Sequence, residues 1–130
     1  MNKINNKSNL IFLFLTGNQR IFGVFIKTKL ENIQHGKYYQ DENAFVFSLN
    51  NNKIYKILVP QKAIRFYNDE PILIGNTGDS NGFYFDEKQT IIYDEELLNS
   101  PKIYDFQKNG ELTENLNEFN ELEILEINCK

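Results

Sequence analysis

A loop in the middle of the chain contains residue types that bind phosphate in many proteins. It carries Gly75, Gly78 and Gly82, and glycine allows positive φ angles and close approach of the backbone. A phosphate-binding loop also requires a lysine within it and a helix that begins directly after it. This loop contains no Lys or Arg, and the Phe83-Tyr84-Phe85 run that follows is typical of a β-strand. We therefore interpret it as a structural turn between two strands.

The nucleophiles and bases of the chain do not form a recognisable catalytic pattern. His35 is the only histidine and lies in a polar loop before Gly36, where an exposed loop residue is expected. Cys129 is the only cysteine, and Lys130 is the only cation beside it that would activate a thiol. A single cysteine excludes an internal disulfide and is typical of a reducing compartment. We therefore expect an intracellular, cytoplasmic protein.

The acidic clusters are interpreted in the same way. Asp69-Glu70 and Asp94-Glu95-Glu96 lie in segments that are typical of turns. Acid–base catalysis requires carboxylates in opposing positions on rigid elements, so these are interpreted as solvated turn residues. The sequence therefore predicts no catalytic residue, no metal site and no cofactor, and we expect that the protein is not an enzyme.

Size and charge exclude several classes of function. The chain has 130 residues, which is typical of one domain. Its 14 basic and 18 acidic residues give a net charge of -4, which provides no electrostatic reason to bind nucleic acid. The longest apolar run, 10–15, is much too short to cross a bilayer, so no membrane insertion is expected.

The aromatic content predicts a mainly β fold. There are 11 Phe, 7 Tyr and no Trp, and they occur in short runs separated by turn residues. At most one short helix is expected, over 113–120. Strands are predicted over 9–16, 20–27, 44–49, 53–59, 64–67, 72–74, 82–86, 90–93 and 121–127.

Several predicted strands are apolar on both faces. Ile11 to Leu15 is an unbroken apolar run, and most of Phe45 to Leu49 is apolar as well. A single sheet with one wet face would show alternation, whereas strands that are buried on both sides are apolar throughout. We therefore expect a two-layer antiparallel β-sandwich with few or short helices.

The order of several short motifs resembles that of the TLDc domain family. No single motif is specific, but their order and spacing hold from about residue 9 to residue 127. The motifs are Phe22-Gly23-Val24-Phe25, Tyr38-Tyr39, Phe45-Val46-Phe47-Ser48-Leu49, Lys53-Ile54-Tyr55-Lys56, Ile74-Gly75, Gly82-Phe83-Tyr84-Phe85-Asp86 and Leu122-Glu123-Ile124-Leu125-Glu126-Ile127. The family-motif residues that the resemblance singles out are Phe22, Gly23, Phe25, Phe45, Phe47, Ser48, Tyr55, Gly75, Gly82, Phe83, Asp86 and Glu126.

The chain also departs from the family pattern. The family domain normally begins with a further helical and strand segment of about fifty residues, and this sequence starts after it. We interpret residues 1–8 as a polar N-terminal tail and 9–128 as a single, shortened domain. Such a domain would leave a sheet edge or an apolar face uncovered. We expect a protein partner, another chain or a second copy, to cover it.

The resemblance implies a function in protein interaction. Family members are linked to oxidative-stress resistance, and several bind the proton-pumping vacuolar ATPase. We therefore expect a non-catalytic interaction module that acts on the vacuolar-type proton ATPase or in oxidative-stress resistance. The alternative is a permanent structural subunit of a large cytosolic or cytoskeletal assembly. An enzyme or antioxidant is the third class.

Glu126 is the one acid for which we predict burial. In a regular strand, Leu122, Ile124 and Glu126 share one face, and the family also has a Glu at this position. A carboxylate on the inner face would be buried and hydrogen-bonded to loop backbone as a structural group. Because Leu125 and Ile127 lie on the opposite face, the alternative to a regular strand is that the inner and outer faces switch near 123–125 through a bulge.

Overall fold

The computed structural model describes residues 4–16, 19–34, 36–66, 72–74, 83–85, 91–93, 104–105 and 119–127. Within these ranges the chain forms ten strands and one short 3-10 helix, Pro60–Lys62. The strands are β1 (Leu10–Thr16), β2 (Ile21–Ile26), β3 (Tyr38–Tyr39), β4 (Phe45–Ser48), β5 (Lys53–Lys56), β6 (Ile64–Phe66), β7 (Ile72–Ile74), β8 (Phe83–Phe85), β9 (Ile91–Tyr93) and β10 (Phe119–Glu126).

The strands form two antiparallel sheets of five strands each. Sheet 1 has the order β10-β1-β2-β4-β5, and sheet 2 has the order β3-β6-β7-β8-β9. Side chains of sheet 1 and of β3 and β6 in sheet 2 share one hydrophobic core, so the predicted mainly β, two-layer fold is confirmed. The first two predicted strands are adjacent in sheet 1, since β1 pairs with β2 in antiparallel register from Leu10 to Leu15.

Three details of the strand prediction were wrong. Residues 28–42, where no strand was predicted, contain β3, in which Tyr38 and Tyr39 pair with β6. β5 ends at Lys56, because Ile57 instead forms an isolated bridge with Tyr104. The segment predicted as a helix over 113–120 ends in strand, since β10 begins at Phe119; its earlier residues lie outside the described ranges.

The core is built from aromatic rings of both sheets. Phe14 on β1 stacks on Phe22 on β2, with ring centroids 4.8 Å apart and planes inclined by 11°. In sheet 2, Tyr39 meets Phe66 edge-on, with centroids 5.7 Å apart. Offset-stacked and edge-on pairs are the favoured arrangements of aromatic rings, so they add to the free energy of burial. Tyr104 is fully buried in the same core.

Strand β1 is buried on one face and half-buried on the other. Leu10, Phe12 and Phe14 have exposures of 1% or less, whereas Ile11 and Leu13 are half-buried. The prediction that this run is buried on both faces is therefore wrong in part. Its second face lies on the outer side of sheet 1. That side carries apolar side chains but does not form a second core.

Residues before β1 also contribute to packing. Ile4 is 1% exposed and belongs to the core. The backbone of Asn6 donates to the Leu30 carbonyl at 2.8 Å, and the backbone of Leu30 donates to the Lys7 carbonyl at 2.9 Å. These contacts tie the start of the described chain to the loop after β2. The domain boundary at residue 9 stays a prediction.

Candidate functional site

The outer face of sheet 1 is the main apolar surface among the described residues. Strand pairing aligns its side chains in rows across the sheet, because residues that are directly paired in neighbouring strands point to the same side. One row runs from Leu125 through Ile11 and Phe25 to Phe45. The next row runs from Leu13 across Gly23 to Phe47 and Ile54. We define the outer face by Ile11, Leu13, Leu15, Ile21, Phe25, Phe45, Phe47, Ile54 and Leu125.

Three phenylalanines form the centre of the outer face. The rings of Phe25 and Phe45 are 5.3 Å apart between centroids, and those of Phe45 and Phe47 are 6.2 Å apart. All three rings are half-buried. Large half-buried aromatic groups are typical of the residues that dominate protein interfaces, because they bury a large area with few rotatable bonds.

A glycine is required beneath this aromatic cluster. A Cβ atom at position 23 would lie 2.6 Å from the backbone oxygen of Phe12 and 2.5 Å from Cζ of Phe47. The Phe47 ring therefore lies over the space that any other residue would occupy. This gives a physical reason for glycine at this position of the Phe22-Gly23-Val24-Phe25 motif.

Charged residues flank the outer face at its two edges. Glu121 and Glu123 lie on β10 at one edge, and Lys56 lies on β5 at the other. All three are exposed. A shallow groove of about 180 Å³ lies between Leu13, Leu15, Ile21 and the two glutamates. It is smaller than the usual pocket for a small-molecule ligand, so the face is better suited to contact another macromolecule.

The most buried carboxylate in the described chain is used for structure. Asp41 is 4% exposed. Its Oδ2 accepts hydrogen bonds from the backbone N–H groups of Lys27 at 2.6 Å and Thr28 at 3.0 Å, and its Oδ1 accepts from Asn43 N–H at 2.8 Å. Oδ2 thus holds the end of β2 against the loop before β4, and Oδ1 stabilises that loop itself. The hollow of about 540 Å³ beside it is lined by the same backbone segments.

Sequence reasoning missed Asp41. The Asp-x-Asn spacing of Asp41 and Asn43 is a sequence signal for the local hydrogen bond, since Asp often accepts from the backbone two residues later. The two bonds to β2 join positions 13 and 14 residues apart, which no local pattern indicates.

The buried hydroxyl of Tyr104 is also committed to structure. It donates a hydrogen bond to the Ala63 carbonyl at 3.0 Å. Burial raises the pKa of Tyr104 far above its usual value, and the negative charge of Asp41 raises it further. The phenol therefore stays protonated and serves as a donor within the core.

A family profile for the TLDc domain matches residues 1–127 of the chain. The chain belongs to the TLDc domain family. A comparison with proteins of curated function gave no match. The parts of this TLDc domain that the structure describes include no helix that is long and apolar enough to cross a membrane.

Most family-motif residues that the structure describes lie in sheet 1. Phe22, Ser48 and Tyr55 point into the core, and the Ser48 hydroxyl accepts a hydrogen bond from Asn51 N–H at 3.1 Å. Gly23 and the three phenylalanines build the outer face, as described above. Phe83 lies in β8 and pairs with Ile74 and Tyr93. The motif residues Gly75, Gly82 and Asp86 lie outside the described residues, as do His35, Cys129, Asp69-Glu70 and Asp94-Glu95-Glu96.

The predicted burial of Glu126 was wrong. The register does place Glu126 opposite Leu10, on the inner side of sheet 1, but its side chain is exposed. It is the last residue of β10, and β10 is an edge strand, so neighbours cover it on one side only. The alternative, a bulge near 123–125, is also absent. The pairing irregularity instead lies where Leu15 pairs with Glu121 and Thr16 with Phe119.

Proposed function

We propose that this TLDc domain is a non-catalytic protein–protein interaction module that acts on the vacuolar-type proton ATPase or otherwise in oxidative-stress resistance. The observation that carries the proposal is the outer face of sheet 1. A patch of this kind, with an aromatic centre and charged edges, is typical of a surface that binds another protein.

The exposure of individual side chains supports this use of the outer face. Ile54 is 71% exposed and Leu125 is 44% exposed, at opposite ends of the apolar rows. Burying apolar surface contributes about 25 cal/mol for each Å² removed from water. A partner that covers these side chains together with the phenylalanine cluster would therefore gain binding energy that the isolated domain leaves unused.

The polar groups of the core support a non-catalytic role. The carboxylate of Asp41 and the hydroxyls of Ser48 and Tyr104 each make hydrogen bonds to backbone groups within the domain. Groups of this kind stabilise the fold, and their loss would leave buried donors or acceptors without partners. These polar groups of the core therefore stabilise the fold, and in this proposal the outer face supplies the contact surface.

Binding to purified vacuolar-type proton ATPase tests the proposal. The purified domain should sediment with the ATPase in a saturable manner, and its addition should change the fraction of assembled enzyme. A domain that neither sediments with the ATPase nor alters its assembly would contradict this target. Peroxide consumption by the purified protein that is lost in Cys129→Ser would contradict the non-catalytic assignment.

A permanent structural subunit is the second candidate, and the extent of the outer face favours it. The rows cross all five strands of sheet 1, and obligate interfaces are larger and more apolar than transient ones. Exchange experiments separate the two functions. A regulator should exchange with added labelled protein and dissociate in high salt. A fixed subunit should do neither and should co-purify at constant stoichiometry.

A further inference from the structure

Strand β10 is an open edge among the described strands of sheet 1. It is the longest strand in the described chain, with eight residues, and it pairs with β1 on one side. The side chains of Ile124, Leu125 and Ile127 are 36%, 44% and 36% exposed. Edge strands of this length present unpaired backbone donors and acceptors, and an added strand can pair with them.

The register identifies which backbone groups face outward. The N–H of Ile127 donates to the Asn9 carbonyl at 2.8 Å, so Ile127 directs its backbone groups towards β1. In an antiparallel strand this direction alternates from residue to residue. The N–H and C=O groups of Leu122, Ile124 and Glu126 therefore point away from β1, and together they provide three donors and three acceptors.

The charge of this edge selects its partner. Residues 119–127 contain Glu121, Glu123 and Glu126, and no Lys or Arg. The three carboxylates are exposed. Pairing with β10 of a second copy would bring six carboxylates together without a cation, which is unfavourable. An extended segment with Lys or Arg at alternating positions would instead place cations on one side of the sheet, beside Glu121 and Glu123 of the outer face.

We propose that β10 binds an extended, basic segment of a partner protein by strand addition to sheet 1. The outward backbone groups of β10 supply the hydrogen bonds, and Glu121 and Glu123 select for basic side chains. This inference goes beyond the proposed function and does not depend on the ATPase as a target, because it is tested with the purified domain alone.

A short synthetic peptide provides the probe. It alternates Lys and Val over about seven residues, which is a typical strand length. Two control peptides accompany it: one has Glu in place of Lys, and one keeps the Lys residues but is N-methylated at every backbone nitrogen. The parent peptide should bind, and both controls should bind at least about tenfold more weakly, the N-methylated one because it lacks the backbone hydrogen-bond donors.

Hydrogen exchange gives a pattern that only strand addition produces. Saturating peptide should slow exchange of the Leu122, Ile124 and Glu126 amides by about tenfold or more. The amides of Glu123 and Leu125 are already directed to β1, so their exchange should change much less. Uniform protection along the strand would overturn the proposal.

Variants separate the backbone contribution from the charge contribution. Glu121→Gln and Glu123→Gln should each weaken peptide binding about two- to fivefold, as expected for exposed ion pairs. Glu31→Gln is the matched control, since its side chain is 59% exposed on the loop after β2, and it should have no effect. Ile124→Pro should abolish binding, because it removes an outward donor while the N–H groups that face β1 remain.

Three results would overturn the proposal. The first is equal binding of the parent and N-methylated peptides, which would indicate attraction of charge alone. The second is unchanged binding by the variant that combines Glu121→Gln and Glu123→Gln. The third is concentration-dependent self-association through β10, which would make a second copy the occupant. If Ile124→Pro does not fold, the N-methylated peptide alone decides the role of the backbone.

Ile54→Lys, on the outer face, should leave peptide binding intact even if it abolishes binding to the ATPase.

Discussion

Phe47 lies directly over Gly23, with its ring in the space that a side chain at position 23 would occupy. A Cβ atom there would be 2.5 Å from Cζ of Phe47 and 2.6 Å from the backbone oxygen of Phe12. The first contact involves the end of a side chain that is able to rotate, but the second involves backbone. The glycine thus allows β1, β2 and β4 to pack closely while the aromatic cluster covers the gap.

Gly23→Ala should destabilise the domain. We expect a loss of about 1–3 kcal/mol in the free energy of unfolding, because overpacking displaces the Phe47 ring and the β1 backbone. Urea denaturation of the variant measures the loss. Adding Phe47→Leu should restore only part of the stability, since the Phe12 oxygen still obstructs the new methyl group. A Gly23→Ala protein as stable as the wild type would show that the close approach is not real.

Asp41→Ala should loosen the junction between β2 and the loop before β4. Three backbone N–H groups would lose a carboxylate acceptor, and each of these part-buried hydrogen bonds contributes about 0.5–1.5 kcal/mol. We expect a total loss of about 2–4 kcal/mol and faster hydrogen exchange at Lys27 and Thr28. The neighbouring exposed acid provides the control, as Glu42→Ala should change stability by less than about 0.5 kcal/mol. Unchanged exchange at both amides in Asp41→Ala would contradict the assigned role.

Tyr104 should make the domain sensitive to alkaline pH. Its pKa is raised in the folded state by burial and by Asp41, so above pH of about 10 the unfolded chain loses this proton while the folded chain keeps it. The contribution of Tyr104 to the free energy of unfolding is therefore fully present below that pH and falls as pH rises further. Tyr104→Phe should lower stability at pH 7 by about 1–3 kcal/mol, because the Ala63 carbonyl loses its donor. The variant should also show a shallower alkaline decline. Parallel pH profiles for the two proteins would contradict this account.

The strands could be predicted from sequence because their signal is local. The unbroken apolar run of β1 and the turn-forming residues that follow it in the sequence predict the pairing of β1 with β2 without further information. β3 escaped prediction because it contains only Tyr38 and Tyr39 within a polar segment. Its pairing with Ile64 and Arg65 of β6 depends on the tertiary fold.

The candidate site could be predicted only in part. The phenylalanines of the outer face belong to motifs that the family resemblance singled out, but their location outside the core depends on which face of sheet 1 the second sheet covers. The same is true of Glu126, whose face was predicted correctly and whose burial was not. Periodicity specifies the face of a strand on which a side chain lies. Whether that strand is at the edge of its sheet depends on residues that are distant in sequence.

The central claim is that the outer face of sheet 1 binds the partner, and one pair of variants tests it most directly. Ile54→Lys adds a charge to the most exposed apolar residue of that face, and Gln61→Lys adds the same charge to an exposed position of the 3-10 helix Pro60–Lys62. Affinity for the purified vacuolar-type proton ATPase should fall about tenfold or more in Ile54→Lys and stay within about twofold in Gln61→Lys. Equal affinities of the two variants and the wild type would contradict the account.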